Sequence, residues 1–401
     1  MTAGTPTEAP TEVPTAAAAA AMTAARTSDR AQRARRDLAE RLGEQLPAGW
    51  RAAYDAHPRH LFLPDRVWVT LEESLDRATD PDRWLAYAYS DDSVITQLHD
   101  GAESSERGYP ISSSCSMPAV VFTMLGHLDP QPGERILEIG TGTGWTAALL
   151  AHQLGDAQVV SVEVDPAVAQ AARRNLTRAG CRPLVVTGDG ADGYPPGAPY
   201  DRVIATCSVQ TVPYAWVEQS RPGGVILTPW GSTLENSALV CLTVDRGGGR
   251  AVGCIVDWAA FMRLRAQRPV IPGEPDDFDA IADRGRTDVD LADLLAEHAR
   301  FGIGLRVPDC RLTWELGQDG YLSTLWLLAP DSWACVHDTL VRQTGARRLW
   351  DEVSTAYSRW QHSGRPTRDQ YGVTVTAEGI PPADLPKHPC EKDDASREPP
   401  G

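Results

Sequence analysis

The stretch RILEIGTGTGWTAALLA, Arg135 to Ala151, constrains this chain more than any other. A run of branched apolar residues ends in glycines at alternate positions, Gly140, Gly142 and Gly144, and passes straight into an alanine–leucine pattern of helical period. A glycine turn between a buried strand and a helix brings backbone and the helix N-terminus close to a ligand at the edge of an α/β sheet. The spacing is G-x-G-x-G, so the dinucleotide pyrophosphate fingerprint G-x-G-x-x-G is not met, which argues against a nicotinamide-dependent oxidoreductase.

The surrounding segments repeat the α/β alternation. AQVVSVEVD reads as a second strand and Pro166–Ala179 as a second helix with proline in its first turn. PLVVTGDG, YDRVIATCS and GGVILTPWG supply three more strands. Their apolar runs, without alternation, mark strands buried on both faces and hence a mostly parallel, doubly wound, Rossmann-like sheet.

Three acids stand at the edge of that sheet. Glu138 lies inside the first strand, Glu163 ends the second, and Asp189 sits in the GDG that ends the third. Glu163 is placed to accept two ribose hydroxyls and Asp189 an adenine amino group. Glu138, buried, calls for a cation or several donors. A ligand with an adenosine, an ammonium and a sulfonium satisfies all three, which is S-adenosylmethionine. The alternative is that Glu138 organises the glycine loop and Asp189 caps a helix.

From about Leu46 to Arg265 the sequence resembles the protein-L-isoaspartate O-methyltransferase family. HPRHLFLPD, ISSSCSM, ILEIGTGTGW, SVEVD, GDGADGYP, YDRVIATCSVQTVP, RPGGVILTPWG and FMRLR occur in the family's order with near-family spacing. The resemblance implies a class I methyltransferase sheet. It implies a cofactor set of Glu138, Gly140, Thr141, Gly142, Thr143, Gly144, Glu163, Val164, Asp189, Gly190 and Thr206. It also places the loop Ile111–Met117 over the methyl group, with Ser113 matching the family's active-site serine. The family's proline soon after that serine is missing from SSSCSM, so Ser112 and Ser114 remain candidates beside Ser113.

The chemistry suits such a site. A carboxylate with an ordinary pKa of about 4 is already an anion at neutral pH, so no general base is needed. Methyl transfer to its oxygen needs approach and alignment, which a hydroxyl or a backbone N–H provides. Cys115 has no paired histidine and reads as packing. His57 and His60 share a helical spacing without a third ligand and read as structural; no metal site is expected.

The 401 residues allow a leader at 1–30, an N-terminal substrate-side segment at 31–110, the methyltransferase domain at 111–266, a linker at 267–290, a smaller α+β accessory domain at 291–378 and a tail at 379–401. Leader and tail are rich in Thr, Pro and Ala or in Pro, and read as disordered. In the accessory part FGIGLRV, CRLTWEL and LSTLWLL read as strands, and ARRLWDEVSTAYSRWQHSG as an amphipathic helix with Leu349, Val353, Ala356 and Trp360 on one face. A net charge of −16 opposes a nucleic-acid partner, no apolar run spans a bilayer, and eight scattered cysteines fit a reduced, cytoplasmic protein.

The extension, with DSWACVHD and DQYGVTVT, resembles the accessory domain of methyltransferases that act on ribosomal peptides of the lanthipeptide and graspetide (ATP-grasp) kinds. That resemblance implies methylation of an aspartate side chain in a cyclised precursor. The following backbone nitrogen then attacks the ester, methanol leaves, and an aspartimide closes that persists or hydrolyses to isoaspartate. Repair of isoaspartyl damage is the other reading. Six arginines between Val341 and Tyr371 against three acids offer an acidic peptide a local positive surface, with Arg347, Arg348 and Arg365 as contacts.

Overall fold

The computed structural model describes residues 16–102, 111–269, 283–318, 320 and 322–378, with side chains from residue 29 onward. Its first element is a long helix, α1 (Ala16–Leu42), followed by the short α2 (Arg51–Ala56). Of the leader expected at 1–30, residues 1–15 lie outside the described residues, while Ala16 onward is helical; alanine is the best helix former, and Ala31, Leu38 and Leu42 anchor the helix in the core. A small antiparallel sheet follows. It contains β1 (Arg66–Trp68), β2 (Ser74–Asp76), β3 (Val94–Leu98) and β4 (Ile111–Cys115), in the order β2-β1-β3-β4. Between β2 and β3 runs α3 (Pro81–Ala88), started by Pro81 and by Asp80, whose carboxylate accepts the Arg83 N–H. The segment Ile111–Met117, expected as a loop, is therefore strand as far as Cys115, because β3 pairs with it in antiparallel register, with irregularities between Ile95 and Leu98.

The expected doubly wound architecture forms the centre. In chain order come α4 (Pro118–Leu128), β5 (Ile136–Ile139), α5 (Trp145–Leu154), β6 (Val159–Glu163), α6 (Pro166–Arg178), β7 (Leu184–Thr187), β8 (Tyr200–Ala205), α7 (Tyr214–Glu218), β9 (Ser220–Trp230), β10 (Ala238–Val244) and β11 (Arg250–Trp258). Strands β7, β6, β5, β8 and β9 are parallel neighbours, with β5 at the point where strand order reverses. That reversal opens the crevice in which α/β proteins seat ligands. Beyond β9 the sheet becomes antiparallel through β10 and β11. One face packs on α4, α5 and the N-terminal helices, the other on α7.

The C-terminal part adds β12 (Asp283–Arg286), α8 (Leu291–Leu294), α9 (Glu297–Gly304), β13 (Arg311–Leu316), β14 (Leu322–Ala329), β15 (Ser332–His337), β16 (Leu340–Gly345), α10 (Leu349–His362) and β17 (Gly372–Thr376). Five of its strands make a second antiparallel sheet, β12-β16-β15-β14-β13, packed on α9 and α10. Three features differ from the expectations. Part of the linker at 267–290 is strand, since β12 pairs with β16; residues 270–282 lie outside the described residues, as does the tail at 379–401. FGIGLRV is mostly helix rather than strand: a Cβ at Gly304 would lie 2.0 Å from Ser232 Oγ and one at Gly302 2.6 Å from Trp360, so the glycines serve close helix packing. The last strand, β17, leaves the accessory sheet and pairs with β11 at the edge of the central one. Helix α10 is as expected, with Leu349, Val353, Ala356 and Trp360 buried and Gly364 at φ +85° just beyond its end.

Candidate active site

All three glycines of the turn adopt conformations that side chains resist, at φ +93°, +54° and +88° for Gly140, Gly142 and Gly144. The turn lies at the carboxyl end of β5, and Gly144 is the residue from which α5 starts. Gly140 is also close to β8, where an added Cβ would stand 2.9 Å from Thr206 Oγ1. Gly144 instead faces Leu176 of α6, at 3.2 Å, so its smallness serves helix packing.

A cleft opens over this turn. It is lined by Ser112, Ser113 and Ser114 from β4; by Gly140, Thr141, Gly142 and Thr143; by Glu163 and Val164; by Gly190, Thr206 and Cys207; and by the strap Met262–Arg265 with Arg268. Most of the residues singled out in the sequence thus meet in one place. Three do not line it. Glu138 is wholly enclosed within β5, Gly144 packs against α6, and Asp189 caps the turn Gly190–Asp192 by accepting the Ala191 N–H at 2.9 Å. The capping alternative considered for Asp189 is realised for one of its oxygens.

Glu138 accepts a hydrogen bond from Ser161 Oγ at 2.5 Å, and Ser161 meets Thr141 Oγ1 at 2.6 Å. Its other oxygen, Oε1, is buried with no hydrogen-bond partner among the described residues. Burial pushes its carboxyl up to about 8, against which the Ser161 hydrogen bond works only partly. Glu163 is 8% exposed and holds the turn in place: Oε2 accepts the Gly142 N–H at 2.9 Å and Oε1 the Asp165 N–H at 3.0 Å. Burial raises its pKa, and those two N–H donors oppose the rise. A carboxylate offers about four acceptor positions, so two remain for hydroxyls of a ligand. Asp165 caps α6; burial alone would raise it, but the Val168 N–H, the Gln97 amide and the Ala167 N–H together hold its carboxyl below the usual range.

The serines differ in their ties. Ser113 is buried and its Oγ accepts from Thr96 Oγ1 at 3.2 Å. Ser112 Oγ donates to Gln97 Oε1 at 2.9 Å and accepts the Asp100 N–H at 3.0 Å. Ser114 presents its carbonyl oxygen toward Gly142. Neither cysteine of the cleft resembles a nucleophile: Cys115 is buried in β4, and burial pushes the Cys207 thiol up to about 12.

Sequence reasoning missed Arg59, which is fully buried and holds the site's outer wall. Its guanidinium donates to the carbonyls of Ala88, Ser90, Asp92, Cys115 and Ser116 at 2.7–3.1 Å and lies 5.7 Å from the Trp145 ring. The signal was an arginine in the short unit bounded by Pro58 and Pro64, just ahead of the apolar Leu61–Leu63. Also missed were Arg265 and Arg268 on the strap. His57 and His60 pack structurally, as expected; burial lowers both, His60 to about 4 beside the Tyr89 hydroxyl. Trp350 and Trp360 are core.

Four of the six arginines around α10 are engaged with acids. Arg347 pairs with Glu352, Arg348 with Asp283 and Asp351, Arg365 with Asp293, and Arg368 with Glu297. Among the described residues no group of three His, Cys, Asp or Glu could hold a metal, and no helix is long and apolar enough to cross a membrane.

A strand-order reversal with a glycine turn on its first strand and an acid ending the second defines a Rossmann-like, doubly wound sheet with a ligand crevice at the turn. The family model "Protein-L-isoaspartate(D-aspartate) O-methyltransferase" matches residues 63–262. Protein-L-isoaspartate O-methyltransferase 1 of Archaeoglobus fulgidus is 38% identical over 205 residues, 50% of this chain and 81% of that enzyme. The enzyme of Pyrococcus horikoshii is 43% identical over 124 residues, a match spanning 31% of this chain and 56% of that one. A solved protein-L-isoaspartate O-methyltransferase aligns at 21% identity and a TM-score of 0.49, over 86% of this chain and 98% of the other. The chain belongs to the protein-L-isoaspartate O-methyltransferase family, and so to the S-adenosylmethionine-dependent carboxyl O-methyltransferases.

The residues present suit that cofactor. Glu163 keeps acceptors for ribose hydroxyls, and the buried Glu138 Oε1 lacks the donor an ammonium carries. The glycine backbone leaves the helix N-terminus open to a ligand.

Proposed function

We propose that this protein methylates the free carboxylate of an isoaspartyl residue in a peptide or protein. The observation that carries the reading is the meeting of the β4 serines with the glycine turn and Glu163 in one cleft, within the stretch that matches the family. Gly140, Thr141, Gly142, Thr143 and Val164 would line the cofactor's methionyl and ribose parts, Glu163 would accept the ribose hydroxyls, and Gly190 and Thr206 would flank the base. Glu138 would stand beneath the turn as acceptor for the ammonium, and Asp189 would keep one oxygen for the adenine amino group. Bound S-adenosylmethionine would supply the methyl group as an electrophile.

Ser113 is the residue to orient the acceptor. Its hydroxyl oxygen accepts a hydrogen bond from the Thr96 hydroxyl, which leaves its own O–H to donate to a carboxylate oxygen. Ser112 already donates to Gln97, and Ser114 turns its carbonyl to the turn, so both are supporting residues. No proton has to be removed from a carboxylate at neutral pH, so alignment does the work.

A second reading rests on the accessory sheet, which lies beyond the family match. An added unit of this size suits selection of a particular peptide, with a ribosomally made precursor presenting an aspartate side chain as acceptor. Its arginines 347, 348 and 365 would then exchange their present acids for the peptide's carboxylates. A paired mass-spectrometric assay tests both readings, using S-adenosylmethionine with an isoaspartyl peptide or with a cyclised aspartate-containing precursor. Methyl gain on the isoaspartyl peptide supports the first reading. Methyl gain followed by methanol loss, a net loss of water, on the precursor alone replaces it with the second.

A further inference from the structure

The N-terminal sheet and the strap face each other across the cleft, and one acid joins them. We propose that Asp100 is a positioning residue that holds the cleft closed over the cofactor and sets the serine strand in the same act. The inference rests on the cofactor reading of the cleft, not on the choice of peptide.

Arg268 Nη1 lies 2.8 Å from both oxygens of Asp100, and Arg265 Nη2 lies 3.0 Å from one of them. Both arginines come from the strap and both line the cleft. The backbone N–H of Asp100 donates to Ser112 Oγ, whose hydroxyl donates to Gln97. Gln97 and Arg265 both reach Asp165 Oδ2, at 3.2 and 3.4 Å, and Asp165 donates its N–H to Glu163, which holds Gly142. A continuous polar chain thus runs from the glycine turn through Glu163 and Asp165 to the strap and to the serine strand. Arg265 Nε is buried with no hydrogen-bond partner among the described residues, leaving a donor for a ligand in the cleft.

The backbone at the acid argues the same way. His99 and Asp100 stand in succession at φ +49° and +54°, the left-handed region that non-glycine residues avoid. The turn they form carries the Asp100 carboxylate to the two arginines across the cleft.

The test measures S-adenosylhomocysteine release from the full-length protein by stopped flow, with melting temperature read alongside. Asp100→Gly relieves the left-handed strain and keeps the N–H to Ser112 while removing the carboxylate. Arg268→Gln cuts the same link from the strap without touching the turn. Release is expected to quicken about tenfold in each, with Asp100→Gly melting no lower than the parent. The double variant should release no faster than the faster single one, because both remove one link. Asp100→Glu, which keeps the charge, should restore most of the slow release. Unchanged release in both single variants, or effects that multiply in the double, overturns the proposal. Failure of the parent protein to bind S-adenosylhomocysteine overturns instead the cofactor reading beneath it.

Discussion

At the cleft, Arg265 keeps a buried nitrogen, and beneath it Glu138 a buried oxygen, without partners among the described residues, whereas on either side of α10 Arg347, Arg348, Arg365 and Arg368 each face an acid of their own neighbourhood. Both regions are rich in charge, and of the two only the first has buried hydrogen-bonding atoms left without partners among the described residues. An unsatisfied polar atom in a buried place costs free energy unless a ligand completes it, whereas a surface ion pair is worth little and advertises nothing. The functional signal therefore lies in what the fold leaves unpaired, not in the count of charged residues.

The comparison can be broken at several points. The largest expected effect is from Arg59→Met, which leaves up to five carbonyls without their donor, those of Cys115 and Ser116 at the cleft wall among them. It should destabilise the protein by at least about 3 kcal/mol in denaturant titration. Next, Gly142→Val forces a branched residue to φ +54° and crowds the Ser114 carbonyl, 3.4 Å from its Cβ. Cofactor affinity by calorimetry should fall roughly 30- to 100-fold while the fold persists, and unchanged affinity would remove the turn from the cofactor site.

Glu138 gives a smaller, pH-dependent effect. Its folded pKa of about 8 stands above the ordinary 4.5, so between those values the folded state holds a proton that the unfolded state has lost. The stability it contributes is complete below about pH 4.5 and is lost as pH rises through about 8. Glu138→Gln should remove that decline, and parallel melting curves for the two proteins across this range would show the carboxyl to be ionised already. Smallest of all is Arg365→Ala. With Asp293 as its partner and half its side chain exposed, its loss should change the KM for an acidic peptide less than about threefold. A larger rise would return α10 to the role of a docking surface.

Sequence periodicity carried far in the centre of the molecule and less far at its ends. The strands β5 to β9 were legible because burial on both faces writes an uninterrupted apolar run. The residues Phe301–Gly304 were not, since FGIG offers two glycines that weaken a helix and only their close approach to Ser232 and Trp360 explains them. The strand β4 was hidden by three serines that carry no β pattern and pair only because β3 lies alongside. In the site, Glu163 and the glycines could be read because their roles follow from position at the sheet edge. Asp100, Arg265 and Arg268 could not, because their meeting joins residues more than 160 apart in sequence. Arg59 stood in plain view ahead of the apolar Leu61–Leu63, but the five carbonyls it gathers come from four separate elements and connections.

The return of β17 to the central sheet changes what the accessory unit is. It is spliced between two adjacent strands, β11 and β17, like a handle fastened at both ends, and is not a trailing appendage. Trimming the chain after β11 would strip β17 from the sheet and leave β11 with a bare, pairing-competent edge, an invitation to self-association. A version without the accessory unit therefore has to be cut on both sides of it and rejoined so that Gly372–Thr376 stays in register against Arg250–Cys254.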